Sequence, residues 1–246
     1  RDKVDGLWKE RGVVIEANRQ GEPALRAMKL SPESPPHAVD VDIAGDLTRA
    51  LPFVTAALAV RRSQVSIRRV VLRPENRLFV DLVRQIGAEV EIIDADDGNT
   101  DLSISGAARL KATRVAEKRA HSLLDQVALL SVLATQTEGE FIIRDIESLR
   151  QGDFDLVDHL VGLLRRIDAK VGEYPEGIVI EGGRPLKGDR IDSRGHPGVV
   201  EAFAVAGLVA HGDMELEQAE CVEGSFPGFF ELLDGLQSAK TKESAK

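Results

Sequence analysis

One cysteine, one tryptophan, one tyrosine and two methionines are all that 246 residues carry of those types, and each scarcity removes a class of explanation. Cys221 alone can neither close an intrachain disulfide nor build a cysteine-ligated cluster. No other spacing of His, Cys, Asp and Glu has the form of a metal site, so neither metal nor cofactor is expected. No apolar run approaches the roughly 20 residues that span a bilayer. The stretch from Arg1 to Trp8 lacks the apolar segment and cleavage site of a signal peptide, so a cytoplasmic protein with no membrane partner is expected. A basic excess is missing too: the formal net charge is −9, which argues against nucleic acid as a partner and leaves room only for a local basic site. A leading Met is also lacking, and the charged opening Arg1-Asp2-Lys3 reads as the first turn of a helix over residues 1 to about 12, so a piece of a longer protein is expected.

What is present is a globular composition, 43% hydrophobic and 30% charged. Its most telling stretch is Val199 to Ala210, where nearly every residue is apolar or small. A helix of that composition is greasy on all sides and must be buried. Met214-Glu-Leu-Glu217 then alternates with the period of a half-exposed strand. The same pair of elements occurs at Phe53–Val60 with Val65–Val70, and at Leu129–Ala134 with Phe141–Ile146. With Ser63, Gly139 and Gly212 taken as equivalent, the units are 76 and 73 residues apart, an internal repeat. Each of the first two also holds an amphipathic helix, Leu78–Ile86 or Leu156–Ile167, followed by a strand starting at Ala88-Glu-Val90 or Ala169-Lys-Val171. The third stops at its own second helix, Gly228–Leu236.

In a doubly wound parallel sheet the strands are the continuous apolar runs and the helices are amphipathic. Here the first helix of each repeat is the all-apolar element, which predicts an α/β fold with helices inside and sheets outside, around an approximate threefold axis. Residues 1–43, closed by the proline-rich run Ser31-Pro-Glu-Ser-Pro-Pro36, are expected to be the remnant of another lobe plus a linker. Residues 44–237 are expected to form the repeat domain, and 238–246 a flexible polar tail.

Several short stretches resemble the enolpyruvyl transferases, and among them the 5-enolpyruvylshikimate-3-phosphate synthase family. They are Arg1-Asp2, Gly45-Asp46, Leu124-Asp125, Glu147-Ser-Leu-Arg150, Leu186-Lys-Gly188, Asp192-Ser193, Ala202–Val209, and Ala219-Glu-Cys-Val222 with Ser225-Phe-Pro227. The Glu-Cys-Val-x-x-Ser-Phe-Pro ending favours this branch over the related transferases that act on UDP-N-acetylglucosamine. The resemblance implies an inverse, inside-out α/β barrel, of which this chain is similar to the second half, with a substrate cleft between two domains. It also implies transfer of the enolpyruvyl group of phosphoenolpyruvate to shikimate 3-phosphate, a reaction that needs carboxylates for proton transfer and cations for two anionic substrates.

By that resemblance Asp125 falls at the acid/base aspartate, Asp153 at a catalytic glutamate, and Arg1 at an arginine that helps to hold shikimate 3-phosphate. Local readings compete. Asp125 is also a helix-start carboxylate favoured by the dipole, Asp153 an N-cap, His196 a solvated side chain beside a Pro-Gly turn, and Cys221 a buried thiol. Four expected cations are replaced, by Gly152, Leu156, Gly198 and Gly224, with Arg150 and Arg194 the nearby candidates to compensate. Charge-assisted hydrogen bonds contribute roughly 1.5–3 kcal/mol each, so four losses amount to roughly 6–12 kcal/mol, while micromolar affinity is only about 8 kcal/mol. The expectation is a fold kept without phosphoenolpyruvate binding, in a structural, partner-binding or regulatory role. The alternative is a divergent or split synthase working with an N-terminal half.

Overall fold

The periodicities become three copies of one supersecondary unit in the computed structural model, which describes residues 13–17, 23–28, 45–94, 99–106, 109–151 and 154–243. Arg1, Asp153, the helix expected over residues 1–12 and the proline-rich run lie outside the described residues. The chain divides into two compact units, 1–43 and 44–246. In the first, β1 (Val13–Ala17) pairs antiparallel with β2 (Pro23–Met28).

In the second unit the first repeat runs β3 (Gly45–Asp46), α1 (Leu47–Ala59), β4 (Gln64–Val71), α2 (Pro74–Gln85), β5 (Glu89–Asp94) and β6 (Thr100–Ser105). A short β7 (Leu110–Lys111) leads to the second. That repeat comprises β8 (Arg114–Val115), α3 (Glu117–Ser122), α4 (Val127–Thr135), β9 (Thr137–Glu138), β10 (Glu140–Arg144), α5 (Leu156–Arg166), β11 (Lys170–Tyr174) and β12 (Gly177–Glu181). The third holds β13 (Arg190–Asp192), α6 (Pro197–Gly207), β14 (Glu215–Glu217), α7 (Cys221–Ser225) and α8 (Phe229–Glu243).

The sheets repeat as the helices do. The orders β3-β4-β6-β5 and β8-β10-β12-β11 share one pattern, a parallel first pair followed by two antiparallel pairs. Among the described residues the third sheet has only the parallel pair β13-β14. The strands β6 and β12 escape the sequence pattern because each is the return arm of a hairpin with no apolar helix before it.

Helices α1, α4 and α6 pack against one another, as their all-apolar composition requires. Leu51, Leu130, Leu133, Phe203 and Val205 are buried among them. Two of their buried hydroxyls are satisfied within the helix: Thr55 donates to the Leu51 carbonyl at 2.9 Å and Ser131 to that of Val127 at 2.7 Å. The strands show alternating burial, as in β6 and β10, and form the outer layer.

Close approach of strand to helix rests on glycine at one recurring place. A β-carbon on Gly106 would stand 2.3 Å from the Val60 carbonyl oxygen, and one on Gly182 would stand 2.2 Å from that of Thr137. Both glycines follow the last strand of a repeat and touch the C-terminal end of its core helix.

Boundaries differ from expectation where local chemistry decides them. α2 begins at Pro74, four residues ahead of Leu78, because proline suits the first helical turn. α8 continues past Leu236 to Glu243, since nothing between them is a helix breaker. The left-handed residue ahead of each outer strand is Arg62, Gly139 or Gly212, so Arg62 rather than Ser63 is the equivalent position.

Parallel pairing also sets where helices begin. Asp46 lies opposite Val71, so α1 and α2, which follow β3 and β4, start at the same end of the sheet. The pairing of Asp192 with Glu217 does the same for α6 and α7.

Candidate functional site

The starts of the three core helices converge. A β-carbon on Gly198, in the first turn of α6, would lie 3.9 Å from the Asp125 carbonyl oxygen just before α4. Arg49, in the first turn of α1, is close enough to Glu201 of α6 to draw its carboxyl pKa down. Burial acts more strongly in the other direction and raises that carboxyl above its ordinary range.

Asp125 sits in a 3-10 turn, Leu124–Gln126, and is exposed. It does not cap the helix: Gln126 is the N-cap of α4 and supplies no side-chain hydrogen bond. The helix-start reading is therefore corrected in detail. The carboxylate has no hydrogen-bond or ion-pair partner among the described residues.

His196 is half-buried, not solvated. Its ring lies against Gly198, whose β-carbon would meet Cε1 at 3.2 Å, and its Nδ1 is buried without a partner. Burial holds its pKa below the ordinary value, helped by nearby His159 and opposed by Asp125. His159 reaches this place from α5 and donates from Nε2 to the Asp192 carbonyl, 3.0 Å away. Phe154 meets its ring edge-on at 5.6 Å, and the Arg194 guanidinium lies over Phe154 at 5.7 Å. The sequence gives no sign that His159 and His196 meet, because their repeats touch only through tertiary packing.

Arg150 is held by four acceptors. Its Nε donates to the Pro175 carbonyl at 3.0 Å and Nη2 to that of Tyr174 at 2.8 Å, while Nη1 bridges Asp155 at 2.9 Å and Glu173 at 2.8 Å. The guanidinium thus ties the turn ahead of α5 to the β11–β12 hairpin. The cap of α5 is Asp155, which accepts the Asp158 amide at 2.9 Å, so the cap expected at Asp153 falls two residues later. Partial burial would raise the Asp155 carboxyl, but the Asp158 amide and Arg150 hold it below its usual range.

Of the other positions where the resemblance expects cations, Leu156 packs against the apolar core and Gly224 faces open space. Gly152 lies outside the described residues. Cys221 is partly rather than fully buried, with burial pushing its thiol up.

The two histidines make a pH dependence. Both have folded pKa values below the ordinary 6.5, so the unfolded chain takes up their protons first as pH falls. Their contribution is complete above about pH 6.5 and is lost as pH drops from there through the lower folded values. Glu201, raised by burial, works oppositely, losing stability as pH rises above its ordinary 4.5. Thermal midpoints should fall between pH 7.5 and pH 5.5, and fall less in the double variant His159→Gln/His196→Gln. An equal fall in both proteins would show that other groups govern this range.

A family model for EPSP synthase (3-phosphoshikimate 1-carboxyvinyltransferase) matches residues 7–233. The chain is 30% identical over 242 residues to the 3-phosphoshikimate 1-carboxyvinyltransferase of Thermodesulfovibrio yellowstonii, covering 96% of this chain and 55% of that protein. It is 33% identical over 197 residues to the enzyme of the same description from Streptococcus uberis, covering 79% and 46%. The chain thus spans about half the length of the curated relatives it matches. The solved structure of EPSP synthase from Acinetobacter baumannii superposes with a TM-score of 0.80 at 21% identity, over 96% of this chain and 54% of that one. The fold is therefore the inside-out α/β arrangement. No helix among the described residues is long and apolar enough to cross a membrane.

Proposed function

Because the chain belongs to the EPSP synthase (3-phosphoshikimate 1-carboxyvinyltransferase) family, we propose that residues 44–237 form one wall of a substrate cleft whose grip on phosphoenolpyruvate has been dismantled. In this reading residues 1–43 are the remnant of another lobe plus a linker, and the chain is a cytoplasmic protein that does not by itself carry out enolpyruvyl transfer. Its role is to bind a protein partner or the other half of the fold.

The observation that carries the reading is the start of α6. Where the family has an arginine there is Gly198, and against it lies a half-buried imidazole whose environment favours the neutral form. Phosphoenolpyruvate brings a phosphate and a carboxylate, and stripping water from both without a paired cation is prohibitive. Nearby Arg150 is engaged by two carboxylates and two carbonyls, so it serves as a positioning residue for the loop before α5. Asp153 and Arg1 lie outside the described residues and enter this reading only as the family positions of a carboxylate and of a contact to shikimate 3-phosphate.

Titration with phosphoenolpyruvate, with and without shikimate 3-phosphate, tests this through the backbone amide signals of Asp125, His196, Gly198 and Gly224. No saturable change is expected there. Saturation at these amides with a Kd below about 100 μM, roughly 5.5 kcal/mol of affinity, would overturn the reading.

A second reading keeps catalysis. Exposed Asp125, unpaired at the helix junction, is free to move a proton if another polypeptide half supplies the missing cations. Mixing this chain with the N-terminal half of a relative and measuring phosphate release from phosphoenolpyruvate separates the two. Turnover abolished by Asp125→Asn would establish the second.

A further inference from the structure

Beside the other two repeats the third is bare on one side. In the first and second, β4 or β10 takes the return strand of an antiparallel hairpin on its far side, which completes four strands in one order. Among the described residues β14 pairs with β13 alone, so its far side is a sheet edge, a template for strand addition.

The helix beside that strand is bare in the same way. The second helices share one apolar spacing, which makes Leu82 and Ile86 of the first repeat, Leu163 and Ile167 of the second, and Leu232 and Leu236 of the third equivalent. The first four are at most 6% exposed, whereas Leu232 and Leu236 are 48% and 40% exposed. The hairpin makes the difference: α2 packs on β5, and α5 packs on β11 and β12, while α8 has no such strands over it among the described residues. The strand agrees. Aligned through the left-handed residues Asp145 and Gln218, Leu216 is the counterpart of fully buried Ile143, yet it is only half-buried.

We infer that the β14 edge and the Leu232–Leu236 ridge of α8 form one docking surface for an antiparallel β-hairpin of a partner polypeptide, added as the next two strands of the sheet. The second repeat states what that hairpin must carry. Ile178 and Ile180 of β12 are buried opposite Ile143 and Phe141, so apolar residues are needed at alternate positions opposite Leu216 and Met214. Gly177 lies opposite Arg144, and a β-carbon on it would stand 2.0 Å from the Ile143 carbonyl oxygen, so glycine is needed opposite Glu217, the counterpart of Arg144. Charge selects as well. Asp213 and Glu215 are exposed and have no ion-pair partner among the described residues, which favours lysine or arginine on the outward positions of the hairpin and disfavours a second copy of this acidic edge. The inference rests on the partner-binding role proposed above and gives it a surface and a class of partner; nothing in it depends on Gly198 or the replaced cations.

The probe is a synthetic peptide of the chain's own β11–β12 hairpin, residues 169–182 with Val179→Lys and Glu181→Lys, whose lysines would face Glu215 and Asp213 in the register of β12 on β10. It is titrated into the whole chain and followed by backbone amide signals. Saturation is expected within about 1 mM, with changes at residues 213–217 and 229–236 and none at Asp125 or Gly198, whose response to phosphoenolpyruvate is read separately. Leu232→Ser and Leu236→Ser should each weaken binding about fivefold to tenfold, the loss expected when the exposed half of a leucine is no longer buried. Both side chains are exposed, so the amide spectrum of the folded chain should persist, which separates lost binding from lost fold. Ile93→Ser, at a comparably exposed apolar residue of β5, should leave binding unchanged, and the unsubstituted peptide should bind less tightly at low ionic strength. Absence of saturation, unchanged binding to Leu232→Ser/Leu236→Ser, or equal weakening by Ile93→Ser would each overturn the proposal. So would a concentration-dependent dimer abolished by Leu232→Ser/Leu236→Ser, since that result assigns the face to a second copy of the chain.

Discussion

Replacing Phe203 with alanine is expected to lower the unfolding free energy by about 3–5 kcal/mol, the usual loss when a buried aromatic side chain becomes a cavity. Phe203 is 0% exposed on α6, the helix that touches both α1 and α4. Its ring is therefore walled by rigid helices that cannot easily collapse into the void. Against a typical total of 5–15 kcal/mol, this single change would bring the chain close to unfolding at moderate urea. Phe226, only partly buried and packed on Phe53 and Phe229 at the edge of the core, should lose clearly less when truncated. Urea titrations of both variants, with unchanged slope, check the ranking. A loss below about 1 kcal/mol for Phe203→Ala, less than a normal core truncation, would mean that the α6 face is not part of the central packing.

Arg150→Ala is expected to destabilise by about 2–4 kcal/mol, between the cost of breaking an exposed pair and a buried one. The guanidinium is 18% exposed and its partners Asp155 and Glu173 are 35% and 27% exposed. Removing it leaves two carboxylates facing each other and two carbonyls, those of Tyr174 and Pro175, without their donor. Most of the loss should come from that residue of unpaired charge. Glu173→Gln in the Arg150→Ala background should therefore recover stability, whereas alone it should reduce it. Additive losses in this double-mutant cycle would sink the bridging role and return Arg150 to the list of free cations.

Arg150 also marks the limit of sequence reading. Its place in Glu147-Ser-Leu-Arg150 suggested substrate contact, and nothing in that stretch names Tyr174, Pro175 or Glu173, which lie more than twenty residues further on. The cap of α5 fails for a narrower reason. Asp153 and Asp155 both suit a helix start, and the choice falls on Asp155 because it reaches the Asp158 amide while pairing with Arg150. His159 showed only as one polar residue on an amphipathic helix. Its meeting with His196 depends on the second and third repeats being packed together.

The buried helices, the outer strands and the threefold repetition were legible from the sequence by itself, because burial imposes a period on side chains that survives in the order of residues. That Gly152, Leu156, Gly198 and Gly224 carry no charge was legible too, since a glycine or leucine cannot carry charge in any fold. Only the tertiary structure decided which charges remain available. It places Arg150 among carboxylates and Gly198 against an imidazole. Those outcomes depend on partners brought close by packing between distant segments, and electrostatic and hydrogen-bond energies act over a few ångströms in space rather than along the chain.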